Sequence, residues 1–442
     1  EYIEKPKALS FAVYEGKLVS CIPPVQREPL SLTGQGILVG IIDSGIDIYH
    51  PDFRKEDGTT RIVGIWDQTA VNEGKMELMP PSGYSFGLFY SEEKINELLQ
   101  AVGPAPAVDA SGHGTHVAGI AAGNGRASRG ENRGVAYESQ LLIVKLGGRT
   151  QRDFPQTAEL MQAIDFCIRL AAERNQPLAL NLSYGNNYGS HRGDSLLETY
   201  LDNVSGMGKN VICVGMGNNG NDALHTGGKL SPGEIQEIEL GVGAFEPTLN
   251  VQLWKNYEDE MEIYLEHPAG ERVGPLFETL GAQRWQAGNT ELLIYYGKPA
   301  PYHVTQEIYV DFLPQDEKTP YVDSGVWKII LAARNIKNGE YFLWLPGGKT
   351  LNPGTAFYLP RPQGTLTIPA TARRVISVGA YDARQNTYAD FSGRGCRALP
   401  YPKPDLVAPG VDIYAPRSGG GYASFTGTSF STPFVTGAAA LL

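Results

Sequence analysis

The sequence predicts an α/β fold with a mostly parallel central sheet, interrupted by an inserted antiparallel β-sandwich domain of the jelly-roll kind. Short, entirely apolar strands alternate with helical segments over residues 1–221. Residues 222–366 instead alternate polar and apolar residues, with proline and glycine turns between the segments. The apolar pattern returns in residues 367–442. These ranges are the predicted first part of the α/β domain, the insert, and the second part of the α/β domain.

The first range contains strands that are apolar along their whole length. Residues 37–43 (ILVGIID) and 140–146 (QLLIVKL) are two of them. The other predicted elements are helices over 157–175 and 194–204 and strands over 178–185 and 210–217. Strands that are apolar on both faces are typical of a parallel sheet covered by helices, and strand–helix alternation is typical of right-handed crossover units.

The insert and the last segment have different patterns. EIQEIEL (234–240) and LNVQLW (249–254) are two of several alternating segments, and no convincing helix lies among them. This alternation indicates antiparallel strands with one buried face. Beyond the insert, VISVGAYD (375–382) is an apolar strand, and GTSFSTPFVTGAAALL (427–442) is apolar nearly all round, as expected of a core helix.

Composition and charge exclude several classes of protein. The 442 residues are 42% hydrophobic and 19% charged, which is typical of a soluble chain of more than one domain. The formal net charge of -11 opposes binding to phosphate backbones, so we expect no nucleic-acid partner. No apolar run of about 18 residues occurs, so we expect no membrane span. The chain opens with EYIEK, so we expect any export signal to lie upstream of Glu1.

Three motifs place chemically active side chains at the ends of predicted elements. Asp43 ends the first strand in IIDSGID, His113 begins the helix HGTHVAG, and Ser429 lies in GTSFSTP at the start of the last helix. Open α/β sheets bind ligands beyond the carboxyl ends of their strands, so we expect these residues to converge. The chain order Asp, His, Ser is one known arrangement of a catalytic triad.

Together the motifs resemble those of the subtilisin-like serine proteases, and the resemblance covers both parts of the α/β domain. It implies a subtilisin-like three-layer fold, and a triad of Asp43, His113 and Ser429. Within the family, EKPKALSFAV (4–13), HPDFRKEDGTTRI (50–62) and the insert look most like the spore-germination subtilases of anaerobic Gram-positive bacteria.

Those proteases lose an N-terminal prodomain and activate a cortex-hydrolase zymogen by limited cleavage. The resemblance therefore implies a serine endopeptidase with a protein or peptide substrate, a prodomain partner, and a bacterial, spore-associated or extracellular location. It also implies several dozen residues beyond Leu442, so we expect the second catalytic part to be shortened at its C-terminus.

The residue types suit the implied chemistry. A serine hydroxyl needs a base, which the imidazole of His113 supplies, while Asp43 holds the ring in the correct tautomer. By resemblance, Asn218 and the backbone N–H of Ser429 form the oxyanion hole. Ser183, Tyr184 and Gly185 match the strand that pairs with substrate and lines the main specificity pocket. We expect His116 and Phe434, which replaces a histidine found in many relatives, only to pack or hydrogen-bond.

Each of the proposed catalytic residues could also have a purely structural role. Asp43 could cap a turn, His113 could be a hydrogen-bonded core histidine, and Asn218 could be only a turn residue. Unrelated structural needs do not produce all three motifs in the correct order, which favours catalysis. Asp47, His50 and Asp52 could bind a divalent metal, but solvated loop carboxylates are more common, so we predict no metal site.

The sequence also bears on cofactors and on alternative functions. We expect no cofactor, although structural calcium stays open because some subtilases bind it in surface loops. The insert's tryptophans could form a carbohydrate platform or, more commonly, core. A catalytically inactive pseudoprotease, or a binding protein acting through the β insert, remains an alternative, and the presence of all three triad residues argues against it.

Overall fold

Seven α-helices lie in the part of the chain that the structure describes. This computed structural model describes residues 12–71, 78–101, 105–147, 156–298, 304–316, 318–347, 350–395 and 399–442. The helices are α1 (Ala12–Val19), α2 (Ile22–Val25), α3 (Glu92–Ala101), α4 (His113–Ala122), α5 (Thr157–Glu173), α6 (Leu196–Ser205) and α7 (Thr428–Leu441). None of them combines the length and the apolar character needed to cross a membrane. Most of the segment EKPKALSFAV lies outside the described residues.

A nine-stranded sheet forms the centre of the α/β part. Its strands are β1 (Leu38–Asp43), β2 (Ile62–Asp67), β3 (Leu88–Ser91), β4 (Gln140–Lys145), β5 (Leu178–Leu182), β6 (Asn210–Gly215), β18 (Ile376–Asp382), β19 (Thr387–Tyr388) and β20 (Leu406–Pro409). Their order is β19, β18, β6, β5, β1, β4, β2, β3, and β20 pairs with β18. Only β3 and β19 pair antiparallel. The predicted mostly parallel sheet is confirmed.

Helices on both faces of this sheet create three layers. On one face, α4 and α7 pack over β1, and Ile41, Val117 and Phe434 share one core cluster. On the other face, α5 and α6 contribute Leu160 and Leu201 to a second cluster. All six residues of β1 are buried, as expected of a strand covered on both sides.

Two antiparallel sheets form the insert. Their strands are β7 (His225–Lys229), β8 (Ile235–Val242), β9 (Leu249–Asn256), β10 (Glu260–Glu266), β11 (Arg272–Val273), β12 (Ala282–Ala287), β13 (Thr290–Tyr296), β14 (Thr305–Pro314), β15 (Gly325–Asn335), β16 (Glu340–Trp344) and β17 (Ala356–Phe357). One sheet has the order β11, β10, β15, β8, β17, and the other has β12, β13, β14, β9, β16, β7. One apolar core lies between them, so the predicted β-sandwich is confirmed.

Strand β15 shows where the alternation signal fails. It lies at the centre of the five-stranded sheet, yet the alternating pattern does not mark it. Residues 329–333 (IILAA) are all buried, so the strand has a continuous apolar run instead of one polar face. Period-two alternation marks a strand only when its two faces differ in polarity, and it does not measure exposure. Gln252 in β9 is a polar position that is nevertheless fully buried, so the expectation of a single buried face is wrong there.

The tryptophans of the insert pack instead of forming an exposed platform. Trp254, Trp327 and Trp344 are buried. Trp285 is half-buried against the sandwich core. The core interpretation of these residues is therefore confirmed, and no flat exposed array of tryptophans exists among the described residues.

The predicted elements of the α/β part agree with the structure to within three residues. Strand β5 ends at Leu182 and not at the predicted residue 185, because residues 183–185 leave the sheet and line a cavity. Strands β21 (Ile413–Pro416) and β22 (Tyr422–Phe425) form a hairpin that leads into α7. Phe434 is buried against Gly16, which confirms its packing role.

Candidate active site

Three element ends bring the predicted triad residues to one region. Asp43 is the last residue of β1, His113 is the first residue of α4, and Ser429 is the second residue of α7. The ring of Phe430, which follows Ser429, lies 5.2 Å from the ring of His113 between centroids. The helix start that carries the serine therefore lies beside the histidine.

Asp43 and His113 are in direct contact. Asp43 Oδ1 lies 2.6 Å from His113 Nδ1 and also accepts the N–H of Ser44 at 2.8 Å. Only 1% of the Asp43 side chain is exposed, against 31% of the His113 side chain. Nδ1 is thus the nitrogen that donates to the carboxylate, which leaves Nε2 as the basic atom of the neutral ring.

The environment of His113 favours its protonated form. Burial alone would lower the pKa of His113, but the charge of Asp43, its hydrogen bond and the charge of Asp109 outweigh burial and raise the pKa. The ring can therefore accept a proton readily, as a general base must.

Ser429 is presented by a tight turn at the start of α7. Gly427, the residue before the helix, has a φ of 154° and donates its N–H to Gly410 O at 2.8 Å. The Ser429 carbonyl accepts the Ser183 hydroxyl at 3.2 Å. His113 and Ser429 share no hydrogen bond in the described structure. Such catalytic hydrogen bonds are often long in unliganded enzymes and tighten when substrate binds.

Asn218 follows the end of β6 and contacts the same helix start. Its Oδ1 accepts the N–H of Thr428 at 2.9 Å and the Thr428 hydroxyl at 3.1 Å. Only the amide oxygen can accept these bonds, so they fix which way the side-chain amide points. Nδ2 has no hydrogen-bond partner among the described residues, so its donors remain available.

One cavity is lined both by Asn218 and Ser429 and by the predicted substrate segment, residues 183–185. Its volume is about 510 Å³, and Ser183, Tyr184, Gly185, Asn218 and Ser429 are all part of its lining. The pocket residues identified by resemblance therefore lie beside the proposed nucleophile, although they come from distant parts of the chain.

Thr367, which the sequence did not single out, fills a slot in this cavity. An added methyl group would lie 2.5 Å from Thr367 Oγ1 at Gly185 and 2.4 Å from Thr367 Cγ2 at Gly217. Its N–H donates to Met216 O at 3.1 Å, which fixes the backbone. Glycines on both sides are required because the threonine already occupies the space that a side chain would take.

Comparison with known proteins identifies the family. The model of the subtilase family (peptidase S8) matches residues 34–270 and 332–442, which is well over half of the chain. The chain belongs to the subtilase family. Its fold is similar to that of the CspB protease of Clostridium perfringens, at 36% sequence identity and a TM-score of 0.85, over 97% of this chain and 86% of that one.

More distant relatives are longer than this chain. A PII-type proteinase of Lactococcus lactis subsp. cremoris is 24% identical over 454 residues, covering 92% of this chain and 22% of the relative. The minor extracellular protease Vpr of Bacillus subtilis (strain 168) is 25% identical over 437 residues, covering 93% and 46%. The subtilase thus spans between a fifth and a half of these two proteins.

The second histidine of the HGTHVAG motif has a structural role in this subtilase. His116 is fully buried, with Nε2 at 2.9 Å from Ile413 O and Nδ1 at 3.2 Å from Pro416 O. Burial lowers its pKa to about 4, so the ring is neutral near pH 7. The expectation of packing and hydrogen bonding is confirmed.

Asp47, His50 and Asp52 hold the hairpin that precedes α7. Asp47 Oδ2 accepts the N–H of Gly419 at 2.9 Å, Asp52 Oδ2 accepts the Tyr422 hydroxyl at 2.8 Å, and His50 also contacts the hairpin. The expectation of solvated loop carboxylates is wrong for Asp52, which is fully buried because protein donors replace water. Over the described ranges, no group of three His, Cys, Asp or Glu side chains could hold a metal ion.

The insert forms hydrogen bonds to residues 187–189, which follow the cavity-lining residues 183–185. Gln252 Oε1 in β9 accepts the N–H of Gly189 at 3.0 Å. Asn187 Nδ2 donates to Leu345 O at 3.0 Å, just beyond β16. Gln252 and Asn187 are both buried. The position of the predicted substrate strand therefore depends partly on the insert.

Trp344 forms the centre of the junction between the two parts. Its ring stacks on His191 at 4.1 Å and on His225 at 4.5 Å between centroids. Its indole N–H donates to Gly364 O at 3.0 Å. Burial lowers the pKa of His191 to about 4 and that of His225 to about 3. Both rings are neutral near pH 7, which suits burial against an indole.

Ser44 and Asp109 are site residues that the sequence reasoning missed. Ser44 follows Asp43 directly, and its hydroxyl lies 2.8 Å from Asp109 Oδ1. Asp109 in turn bonds the first turn of α4. Ser44 follows a strand and Asp109 lies four residues before a helix, where a serine or aspartate usually signals only a turn or a cap, so the sequence gave no reason to single out this pair.

Proposed function

We propose that this subtilase is a serine endopeptidase in which Asp43, His113 and Ser429 form the catalytic triad. The observation that carries the proposal is the 2.6 Å contact between Asp43 Oδ1 and His113 Nδ1, beside the helix start that presents Ser429. A buried carboxylate on one ring nitrogen leaves the other nitrogen as the base that a serine nucleophile needs.

In the proposed acylation, Ser429 Oγ attacks the substrate carbonyl carbon while His113 Nε2 removes the hydroxyl proton. Asp43 stabilises the imidazolium that forms. His113 then donates this proton to the leaving amine, the C–N bond breaks, and an acyl-enzyme remains. In deacylation, a water oxygen attacks the acyl carbon while His113 takes a proton from that water. The acyl–oxygen bond to Ser429 then breaks, the carboxylic acid product leaves, and the proton on His113 returns to Ser429 Oγ.

The developing negative charge needs donors, and Asn218 with the backbone N–H of Ser429 is the proposed pair. Thr428 holds the Asn218 oxygen through two hydrogen bonds, so Nδ2 cannot exchange places with it. Donors fixed before the reaction stabilise an oxyanion without the cost of reorganisation. This support is geometric, because Asn218 and Ser429 line one cavity.

The proposed substrate is an extended segment of a protein. Residues 183–185 follow the end of β5 and line the cavity, so a peptide can pair beside them as an added strand. The sequence resemblance to spore-germination subtilases, with the structural similarity to CspB, supports limited cleavage of a cortex-hydrolase zymogen. It also supports a prodomain partner and a spore-associated or extracellular location.

The insert is proposed to keep the substrate strand rigid. Gln252 and Leu345 satisfy polar groups of residues 187–189, a few positions beyond the cavity wall. The tryptophans pack in the core or at the junction, so no observation favours the insert as an independent binding module.

Labelling with a fluorophosphonate probe tests this function. Wild-type protein freed of any prodomain should react, and Ser429→Ala should lose all labelling and all peptide hydrolysis. Ser424→Ala, which changes an exposed serine of the preceding hairpin, is the matched control and should label normally. A correctly folded, prodomain-free wild type that does not label would favour the pseudoprotease. Cleavage of a purified cortex-hydrolase zymogen, absent with Ser429→Ala, then tests the substrate.

A further inference from the structure

Asp109 is a buried carboxylate enclosed by the first turn of α4. Its Oδ1 accepts hydrogen bonds from Ser44 Oγ (2.8 Å), Ser111 Oγ (3.1 Å) and the N–H of Gly112 (2.9 Å). Its Oδ2 accepts the N–H (2.8 Å) and the hydroxyl (2.6 Å) of Thr115. Burial alone would raise the pKa of this carboxyl, but these hydrogen bonds lower it. A full negative charge is therefore held at the start of α4.

Ser44 connects this charge to the triad. Its hydroxyl lies 2.8 Å from Asp109 Oδ1 and 3.2 Å from Asp43 Oδ1, and it accepts the N–H of Gly114 at 3.0 Å. The approach of helix to strand is tight, since a methyl group added at Gly114 would lie 2.2 Å from Gly45 O. The hydroxyl has one proton, which the shorter distance assigns to Asp109, while the Ser44 N–H donates to Asp43 Oδ1 at 2.8 Å. Ser44 thus links both carboxylates and the start of α4.

Few charged groups surround His113. Asp43 reaches it from β1, and Asp109 acts from the segment before α4. On α4 itself, His116 is neutral near pH 7. Beyond β5, burial and the two carboxylates raise the pKa of Tyr184, so this phenol is also neutral. Helix α7 carries no charged residue. The two carboxylates therefore dominate the potential at the ring.

We propose that Asp109 is a positioning residue for His113, an inference that rests on the proposed protease function. Through Ser44 and the first turn of α4, it keeps the His113 ring within bonding distance of Asp43. Its charge is a second source of stabilisation for the protonated ring that the reaction forms. Asp109 has no part in binding substrate, because its two oxygens are already occupied by donors from the protein.

Two variants separate the positioning effect from the charge effect. Asp109→Asn removes the charge and some of the accepted bonds, whereas Ser44→Ala breaks the bridge and keeps both carboxylates. We expect kcat/KM to fall about 100-fold in Asp109→Asn, as a small misplacement of a catalytic group can cause. The acid limb of its pH profile should also move to lower pH, by less than the one unit or more of a contacting charge. Ser44→Ala should lose activity without moving that limb.

The matched control is Asp259→Asn, which alters an equally buried carboxylate of the insert that accepts three backbone N–H groups. It should lower the melting temperature and leave the pH profile unchanged. The His113 titration followed by NMR gives a readout that needs no activity. An unshifted His113 titration in folded Asp109→Asn, or a kcat/KM within threefold of wild type, would overturn the inference. An inactive wild type with a shifted titration would instead count against the proposed function alone.

Discussion

Two buried aspartates, one in each part of the molecule, use their oxygens in different ways. Asp259 in the insert accepts the N–H groups of Lys337 and Asn338 on Oδ1 and that of Gly339 on Oδ2, so both oxygens bond to backbone. Asp43 in the catalytic part bonds Ser44 and His113 through Oδ1, while Oδ2 has no partner among the described residues. Asp259 is thus saturated by the backbone of one loop, whereas Asp43 holds an ionisable side chain, as the proposed triad requires.

The histidines show the same contrast. His191 and His225 are buried on the faces of Trp344, and burial lowers the pKa of each. His113 keeps 31% of its side chain exposed, and neighbouring carboxylates raise its pKa. The junction histidines therefore remain neutral near pH 7, whereas the ring of His113 is both accessible and easier to protonate, as the proposed general base requires. Incomplete burial next to a charge is the arrangement that marks His113 as the candidate functional histidine.

The largest difference should appear when Asp43 and Asp259 are each replaced by asparagine in separate variants. Asp43→Asn should lower kcat about 10⁴-fold, because the amide favours the wrong His113 tautomer. Asp259→Asn should lower the free energy of unfolding by about 1–3 kcal/mol and leave kcat unchanged at temperatures where the protein stays folded. Steady-state kinetics and denaturant unfolding of both variants check this, and a large loss of kcat in Asp259→Asn would remove the distinction.

The second-largest effect should be a loss of stability when Trp344, at the junction of the insert and the α/β part, is truncated. Trp344→Ala removes a buried ring and its stacking with two histidines, so we expect a loss of about 3–5 kcal/mol in the free energy of unfolding. Trp285→Ala, at a half-buried tryptophan of the same sheet, is the control and should cost clearly less. Unfolding in urea measures both losses. Equal losses of unfolding free energy would mean that Trp344 does not contribute more than an ordinary half-buried tryptophan to the contact between the insert and the α/β part.

Within the α/β part, Asn218 can be compared with Asn221, an asparagine that has no proposed role. Asn218→Ala should lower kcat about 10²–10³-fold with little change in KM, since the lost donor acts mainly on the transition state. Asn221→Ala, at an exposed asparagine three residues later, should behave like wild type. Kinetics with a single peptide substrate decide the matter. A change confined to KM would contradict the oxyanion role.

Acid should weaken the fold through its buried neutral histidines, which include the two at the junction and His116. The folded protein holds His191 and His225 with pKa values of about 4 and about 3, whereas the unfolded chain has a histidine pKa of about 6.5. The unfolded state therefore binds more protons below pH 6.5, and stability falls as the pH drops from about 6.5 towards 4. Each histidine contributes a slope of at most about 1.4 kcal/mol per pH unit. His225→Gln should reduce the slope of stability against pH, and an unchanged slope would contradict the account.

Activity should also rise with pH, but around a raised pKa, that of His113, instead of the lowered pKa values of the junction histidines. This ring must be neutral to act as a base, and its pKa is raised, so kcat/KM should increase with pH through a value above about 6.5. A pH profile of peptide hydrolysis measures this limb. An acid limb below the ordinary histidine value would show that the carboxylates do not control the ring.

Much of the fold was predictable because its signals are local. The apolar run of residues 37–43 and the alternation in residues 237–240 each report how many faces of a strand are buried. Strand β15 escaped the same test because water reaches neither face over residues 329–333. Asp43, His113 and Ser429 could be named because their motifs stand at element ends, where an α/β sheet places its ligands. Their catalytic roles remain a prediction.

The sequence by itself determined the fold class, the family and the residues of the proposed triad, since apolar periodicity and short motifs are written in neighbouring positions. Only the tertiary structure decided the environment of those residues. Ser44 lies between two carboxylates, Thr367 fills the slot between two glycines, and Asp52 bonds a hairpin 370 residues away. The charge, pKa and accessible space of a group depend on atoms within a few ångströms, and those atoms come from parts of the chain that no local pattern connects.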